Sequence, residues 1–214
     1  MRSPLGCHDP AVLEAERLSA EALDRSLDEA LAGRDPDAPL WIFGYGSLMW
    51  NPGLAFVTKR VGTVYGFHRN FCQWSRINRG TPERPGLVLT LERGGCCRGL
   101  AFRLTGSTSR EELRALWRRE MSLGSYHPRW LECHAGSDRL PVLAFIVNRS
   151  CSGYAGKLTM DAMVQSIATA RGKYGSSAEY LFQTQAALES HGILDAHVKR
   201  LAERVKSYLA HARP

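Results

Sequence analysis

From Leu40 to about Leu104 the chain is patterned for strands, and from residue 160 onward for helices. Trp41–Phe43, Ala55–Thr58, Arg60–Tyr65, Phe71–Trp74, Leu87–Leu91 and Arg98–Leu104 are short runs rich in β-branched, aromatic or leucine residues, separated by Gly, Pro and Asn. Two further strands are expected at Trp130–His134 and Val142–Val147. Met160–Arg171, Ala178–His191 and Asp195–Ala210 then show helical spacing, with breaks at Gly172, Gly175 and Gly192. Strands first and helices later argue for an α+β domain and against a repeating βαβ sheet. Eight short strands are enough to close a barrel. No internal repeat or low-complexity tract interrupts the pattern.

The chain has 214 residues, 44% of them hydrophobic, which supports a sizeable core and excludes global disorder. No apolar run approaches the roughly 20 residues that span a bilayer, and the start M-R-S-P-L-G-C-H-D-P has no apolar segment of a secretory signal. Six cysteines, at 7, 72, 96, 97, 133 and 151, include no C-x-x-C pair. Neither a zinc site nor a disulfide framework is signalled, and a reduced cytoplasmic protein is the expectation. Residues Pro10 to Leu31 place Leu13, Leu18, Leu23, Leu27 and Leu31 near the helical period, as in an amphipathic helix or helix pair packed on the outside. Gly33 to Pro39 form a linker. The expected division is an N-terminal helical extension and linker, 1–38, and a main domain, 39–214.

The net charge is +7. Such a balance suits nucleic acid or any small anion, but its distribution says more. Residues 39–82 contain no acidic side chain and hold Lys59, Arg60, Arg69, Arg76 and Arg79. Within this basic stretch lies W-I-F-G-Y-G-S-L-M-W-N, residues 41–51, an apolar run that stops at two glycines flanking Tyr45. Glycine permits a tight turn and close approach of a ligand to the backbone, and successive amides in such a turn can form an anion cradle. An ordinary structural turn fits the same residues. The segment is not a P-loop, which needs G-x-x-x-x-G-K. It is not the dinucleotide G-x-G-x-x-G, since Met49 takes the third glycine position and no acidic residue follows before Glu83. Nor is it a nucleophile elbow, since Tyr45 stands where the first glycine belongs.

A second constellation runs from Arg110 to Tyr126, R-E-E-L-R-A-L-W-R-R-E-M-S-L-G-S-Y. Ser107, Thr108 and Ser109 are candidate caps, and Gly124 a candidate stop. Leu113, Leu116, Trp117 and Glu120 fall at i, i+3, i+4 and i+7, so Glu120 shares the apolar face. A carboxylate turned toward a core costs several kcal/mol, about 3–5, unless it is paired or protonated. Its pKa rises, which suits a general base or acid near neutrality. A buried pair with Arg114 or Arg118, or a place at the edge of the stripe, explains the same position. Weaker candidates are Ser47 with His68, His127 or His134 as base, and the hydroxyls of Tyr45, Tyr126 and Tyr180. Cys96 and Cys97 fit best as small packing residues.

F-G-Y-G-S-L-M-W-N-P at 43–52 resembles the N-terminal signature of the ChaC-like γ-glutamylcyclotransferases. N-R-G-T-P-E-R-P-G at 78–86 resembles a segment in which that family often has histidine where this chain has Asn78. W-R-R-E-M-S-L-G-S-Y at 117–126 resembles its helix carrying R-E and G-x-Y, while A-E-Y-L at 178–181 and G-I-L-D at 192–195 resemble its C-terminal helices. The likeness runs from about Leu40 to Val205 and leaves the N-terminal extension outside. It implies a small mixed β-barrel flanked by α-helices and the cleavage of γ-glutamyl peptides, glutathione above all, into 5-oxoproline and the remaining amine. In that reaction the substrate's own α-amine attacks its γ-carbonyl, so no protein nucleophile, metal or cofactor is needed. By the resemblance Glu120 is the base, and Gly44, Tyr45, Gly46, Ser47, Leu48 and Met49, with Tyr180, bind substrate. Contacts from Tyr126 and Arg76 are left open. A cyclotransferase acting on other γ-glutamyl amines or amino acids is the nearest alternative. A non-enzymatic nucleic-acid module is the other, though no aromatic residues interleave with the basic ones as a single-strand platform requires. No membrane or nucleic-acid partner is expected.

Overall fold

A computed structural model describes residues 17–35, 37–105 and 110–212. The candidate caps Ser107 to Ser109, Leu13 and Cys7 lie outside the described residues. The first helix, α1 (Ala20–Leu31), opens on Ser19, whose hydroxyl accepts a hydrogen bond from the Ala22 N–H at 3.2 Å. Five strands follow: β1 (Trp41–Gly44), β2 (Phe56–Ser75), β3 (Gly86–Leu104), β4 (Tyr126–Ala135) and β5 (Asp138–Val147). Helix α2 (Arg110–Met121) sits between β3 and β4. After the strands come α3 (Met160–Thr169), a short hairpin of β6 (Arg171–Gly172) and β7 (Gly175–Ser176), α4 (Ser177–Ser190) and α5 (Ala196–His211). None of the described helices is long and apolar enough to cross a membrane.

The strands close a barrel in the order β1-β3-β2-β4-β5. Neighbours are antiparallel except β1 with β5, joined at Ile42 and Leu143, and a β3–β5 contact at Leu91 and Ile146. The architecture is therefore the expected α+β one, with a mixed barrel and flanking helices. Its strand count differs. Three expected strands between residues 55 and 74 are one strand, β2, and two between 87 and 104 are one strand, β3. The glycines that look like strand ends are bulges. Gly66 (φ 81°) falls where the β2–β3 register shifts between Tyr65 and Phe67, facing Gly94 (φ 104°) and Gly95 (φ 70°). Positive φ lets the long ribbon bend there without losing its partner.

Alternation along the strands divides the interior into two cores. Trp41, Phe43, Val142 and Ala144 join the larger one, which continues through Met163, Ile167, Leu181, Leu188, Leu201 and Val205 of α3, α4 and α5. Ile42, Leu143 and Phe145 turn to the other side. There they meet Leu113, Leu116, Trp117 and Met121 of α2, and Leu23 and Leu27 of α1. Arg114 of α2 also grips Asp24 of α1 with two hydrogen bonds of 2.9 Å, and Arg110 pairs with Asp28 at 2.6 Å. Helix α2 is thus wedged between barrel and α1, which sets the direction of its last turn.

Candidate active site

The last turn of α2 and the glycine turn after β1 meet at one cavity of about 590 Å³. The glycine segment ends β1 at Gly44, and a single 3-10 turn over Ser47–Met49 follows. The amides of Met49, Trp50 and Asn51 are spent on the carbonyls of Gly46 and Ser47, which leaves the amides of Ser47 and Leu48 outside the turn's own hydrogen bonds. Gly46 has no room for a side chain, since a Cβ there would stand 2.8 Å from the Tyr180 hydroxyl. Tyr45, Gly46, Ser47, Leu48, Tyr180 and Glu120 all line the cavity. Gly44 and Met49 do not. Gly44 lies against the Phe102 ring, and the 3-10 turn swings Met49 into the larger core, where it is 4% exposed.

Glu120 stands one turn beyond the buried Leu113, Leu116 and Trp117, on the face they define. Its side chain is 15% exposed. Oε1 is buried and accepts no hydrogen bond among the described residues. The Arg119 Nε is 3.1 Å away, at ion-pair distance but not aligned to donate. Arg119 spends its other nitrogens on the glycine turn: Nη1 donates to the Asn51 carbonyl at 2.6 Å, and Nη2 to the Ser47 hydroxyl at 2.9 Å. The alternative partners are engaged elsewhere, Arg114 with Asp24 and Arg118 with Glu111. Burial raises the Glu120 pKa above the ordinary carboxylate value, against the weaker opposing charge of Arg119.

Three tyrosines surround this carboxylate. Tyr45 donates its hydroxyl to the Phe145 carbonyl at 2.7 Å. Tyr126 donates to the Leu89 carbonyl at 3.4 Å, and Tyr180 accepts from the Leu89 N–H at 3.3 Å. Burial, reinforced by Glu120, raises the pKa of all three, Tyr180 to about 12. They are neutral phenols over the working range. The Tyr180 hydroxyl proton has no acceptor among the described residues and is available to a ligand. Arg79 lies 5.7 Å from the ring centroids of both Trp50 and Tyr180, and burial lowers its pKa. Arg17, Arg76, Arg118, Arg119 and Lys173 complete a cationic lining in which Glu120 is the one carboxylate among the described residues. Asn78 also faces the cavity, and its carbonyl accepts from Tyr174 in the β6–β7 hairpin at 2.9 Å.

The Ser47–histidine pairing is not assembled. His68, His127 and His134 do not line the cavity, and Ser47 is held by Arg119. Cys97 is buried and Cys96 exposed, away from it. Sequence reasoning missed Arg119 as the tie between the two motifs. Its only local signal is adjacency to Glu120. Arg79 was visible as a basic residue, but not its stacking on Trp50. Among the described residues no His, Cys, Asp and Glu side chains cluster in a way that could hold a metal ion.

A barrel flanked by helices, with a glycine turn facing a desolvated glutamate, is the architecture of a cyclotransferase-like protein, and comparison with known proteins agrees. Residues 40–208 match the model of the family described as ChaC-like protein, and the chain belongs to that family. It is 39% identical over 201 residues to the glutathione-specific gamma-glutamylcyclotransferase of Escherichia coli (strain K12), covering 94% of this chain and 87% of that one. It is 34% identical over 182 residues to glutathione-specific gamma-glutamylcyclotransferase 1 of Mus musculus, covering 82% and 81%. Among solved structures, a yeast gamma-glutamyl cyclotransferase specific to glutathione superposes with a TM-score of 0.76 at 23% identity, over 83% of this chain and all of that one.

Proposed function

We propose that this protein is a γ-glutamylcyclotransferase that cleaves glutathione into 5-oxoproline and cysteinylglycine, with Glu120 as general base and acid. The observation that carries the reading is Glu120, whose Oε1 is buried without a hydrogen bond, in a cavity whose other described ionisable lining groups are cations and neutral phenols. A tripeptide with two carboxylates and one amine matches that lining: its anions meet Arg79, Lys173 and their neighbours, and its ammonium meets the one carboxylate.

An α-ammonium with a pKa of about 8 needs to lose one proton before it can attack. Glu120, its basicity raised by burial, takes that proton. The amine nitrogen then bonds to the γ-carbonyl carbon and closes a five-membered lactam. Glu120 returns the proton to the cysteinyl nitrogen as the carbon–nitrogen bond breaks. Holding amine and carbonyl in one cavity uses the large effective molarity of intramolecular reactions, worth up to roughly 7–11 kcal/mol. The amides of the turn from Tyr45 to Leu48 hold the glutamyl carboxylate or the developing oxyanion, and the Tyr180 hydroxyl orients the substrate. Gly44 and Met49 support the turn from the core side. The reading also puts the protein in the reducing cytoplasm, where its free cysteines stay thiols.

The test is purified protein with millimolar glutathione, scored for 5-oxoproline and cysteinylglycine. Equimolar appearance of both is expected, and absence of turnover would sink the reading. Running γ-glutamyl amino acids alongside distinguishes glutathione from the wider γ-glutamyl class.

A further inference from the structure

We infer that Arg69, which lies outside the cavity, is a positioning residue that sets the direction of the Gly46 amide. The inference rests on the cyclotransferase reading of the turn. Arg69 projects from β2 and its side chain is 3% exposed. All three of its nitrogens are engaged: Nε donates to the Tyr45 carbonyl at 2.6 Å, Nη1 to Asp195 Oδ2 at 2.6 Å, and Nη2 to the Arg98 carbonyl at 2.7 Å. The described residues contain no cis peptide. In a planar trans peptide the carbonyl and the following N–H point in opposite directions. Gripping the Tyr45 carbonyl therefore turns the Gly46 N–H away from Arg69, and Gly46 lines the cavity whereas Arg69 does not.

The fork is itself braced. Asp195 Oδ1 accepts the Val198 N–H at 3.0 Å and caps α5, while Oδ2 holds Nη1. The glycine turn is thus referenced to three places at once, namely β2, β3 and the start of α5. A guanidinium spreads these three donors over three nitrogens in one plane, whereas an ammonium has a single tetrahedral nitrogen and cannot reproduce that geometry.

The test uses the full chain and three variants. R69K keeps the charge facing Asp195 and loses the fork. Leu201→Ala opens the buried side of α5, destabilising the fold without touching the fork. D195N keeps the helix cap and loosens Nη1. Expected for R69K is a fall in kcat/KM for glutathione of about tenfold or more, with the Gly46 amide cross-peak displaced in a proton–nitrogen correlation spectrum. L201A is expected to stay within about threefold, as an effect of stability alone would. Activity of R69K within threefold of wild type with an unmoved Gly46 signal overturns the inference, as does an equal loss in L201A. Should R69K fail to fold, D195N decides: a displaced Gly46 signal supports the inference and an unmoved one overturns it. If wild type does not turn over glutathione, the functional reading falls, and the Gly46 signal alone decides the role of Arg69.

Discussion

Two glutamates in this molecule are shielded from water and have opposite fates. Glu92, in β3, is 7% exposed and accepts hydrogen bonds on both oxygens. Asn70 Nδ2 donates to Oε2 at 2.7 Å, Arg149 Nη2 to Oε1 at 2.6 Å, and the Tyr154 hydroxyl also to Oε1. Burial alone would raise its pKa, but the bonds from Tyr154, Asn70 and Arg149 outweigh it and the net direction is down. Glu120 has comparable shielding, no aligned donor on Oε1, and a raised pKa. The difference lies in the donors, not in the depth. A carboxylate with donors on both oxygens holds the structure together, whereas one with a buried oxygen left without a donor is poised to accept a proton.

The strongest way to break this contrast is E120Q. Removing the base is expected to lower glutathione turnover by about 10²–10⁴-fold, with the circular dichroism spectrum unchanged. Near-wild-type turnover would take Glu120 out of the chemistry. The folded pKa of Glu120 lies above its unfolded value, so the fold favours the protonated form. That contribution is fully present below the unfolded pKa and is lost as pH rises through the folded one. E120Q is therefore expected to melt above wild type at pH 8, with the gap closing as the pH falls toward about 4.5. A Tm below wild type at pH 8 would contradict the desolvated carboxylate.

Arg119→Ala sharpens the contrast from the other side. It frees Ser47 and Asn51 and removes the cation that partly restrains the Glu120 pKa. Turnover is expected to fall about tenfold as the turn loses its tie to α2. The acid limb of the pH–rate profile should move to higher pH. A limb that stays put would mean that Arg119 does not act on Glu120.

E92Q has the smallest effect on chemistry. Removing the charge weakens three hydrogen bonds and should cost about 1–3 kcal/mol of stability at neutral pH, while turnover stays within about twofold. The sign here is opposite to that of Glu120. The folded pKa is lowered, so the stabilisation is present above the unfolded pKa and lost as pH falls through the folded one. The Tm deficit of E92Q should therefore shrink in acid. A large loss of turnover without a loss of Tm would overturn the structural role given to Glu92.

The two carboxylates also differ in how far the sequence foretells them. Glu120 falls at i+7 of an apolar stripe on a helix that was expected where α2 stands, so its inward face follows from a 3.6-residue period. Nothing local marks Glu92. Its partners at 70, 149 and 154 come from β2 and from the segment after β5, and only barrel closure brings them together.

Local physics alone therefore determined the α+β order, the glycine turn and the side of its helix on which Glu120 lies. Periodicity and glycine stereochemistry act over a few neighbouring residues and can be read without a fold. Tertiary structure decided the rest. It turned five expected strands into β2 and β3, and at Gly66 and Gly94–Gly95 the reason is that a glycine at positive φ reads the same in a bulge as at a strand end. It sent Met49 into the core and kept Ser47 at the cavity, and it tied Arg119 to Ser47 and Arg69 to the Tyr45 carbonyl. Those contacts depend on the closure of one particular barrel, which no short stretch of chain encodes.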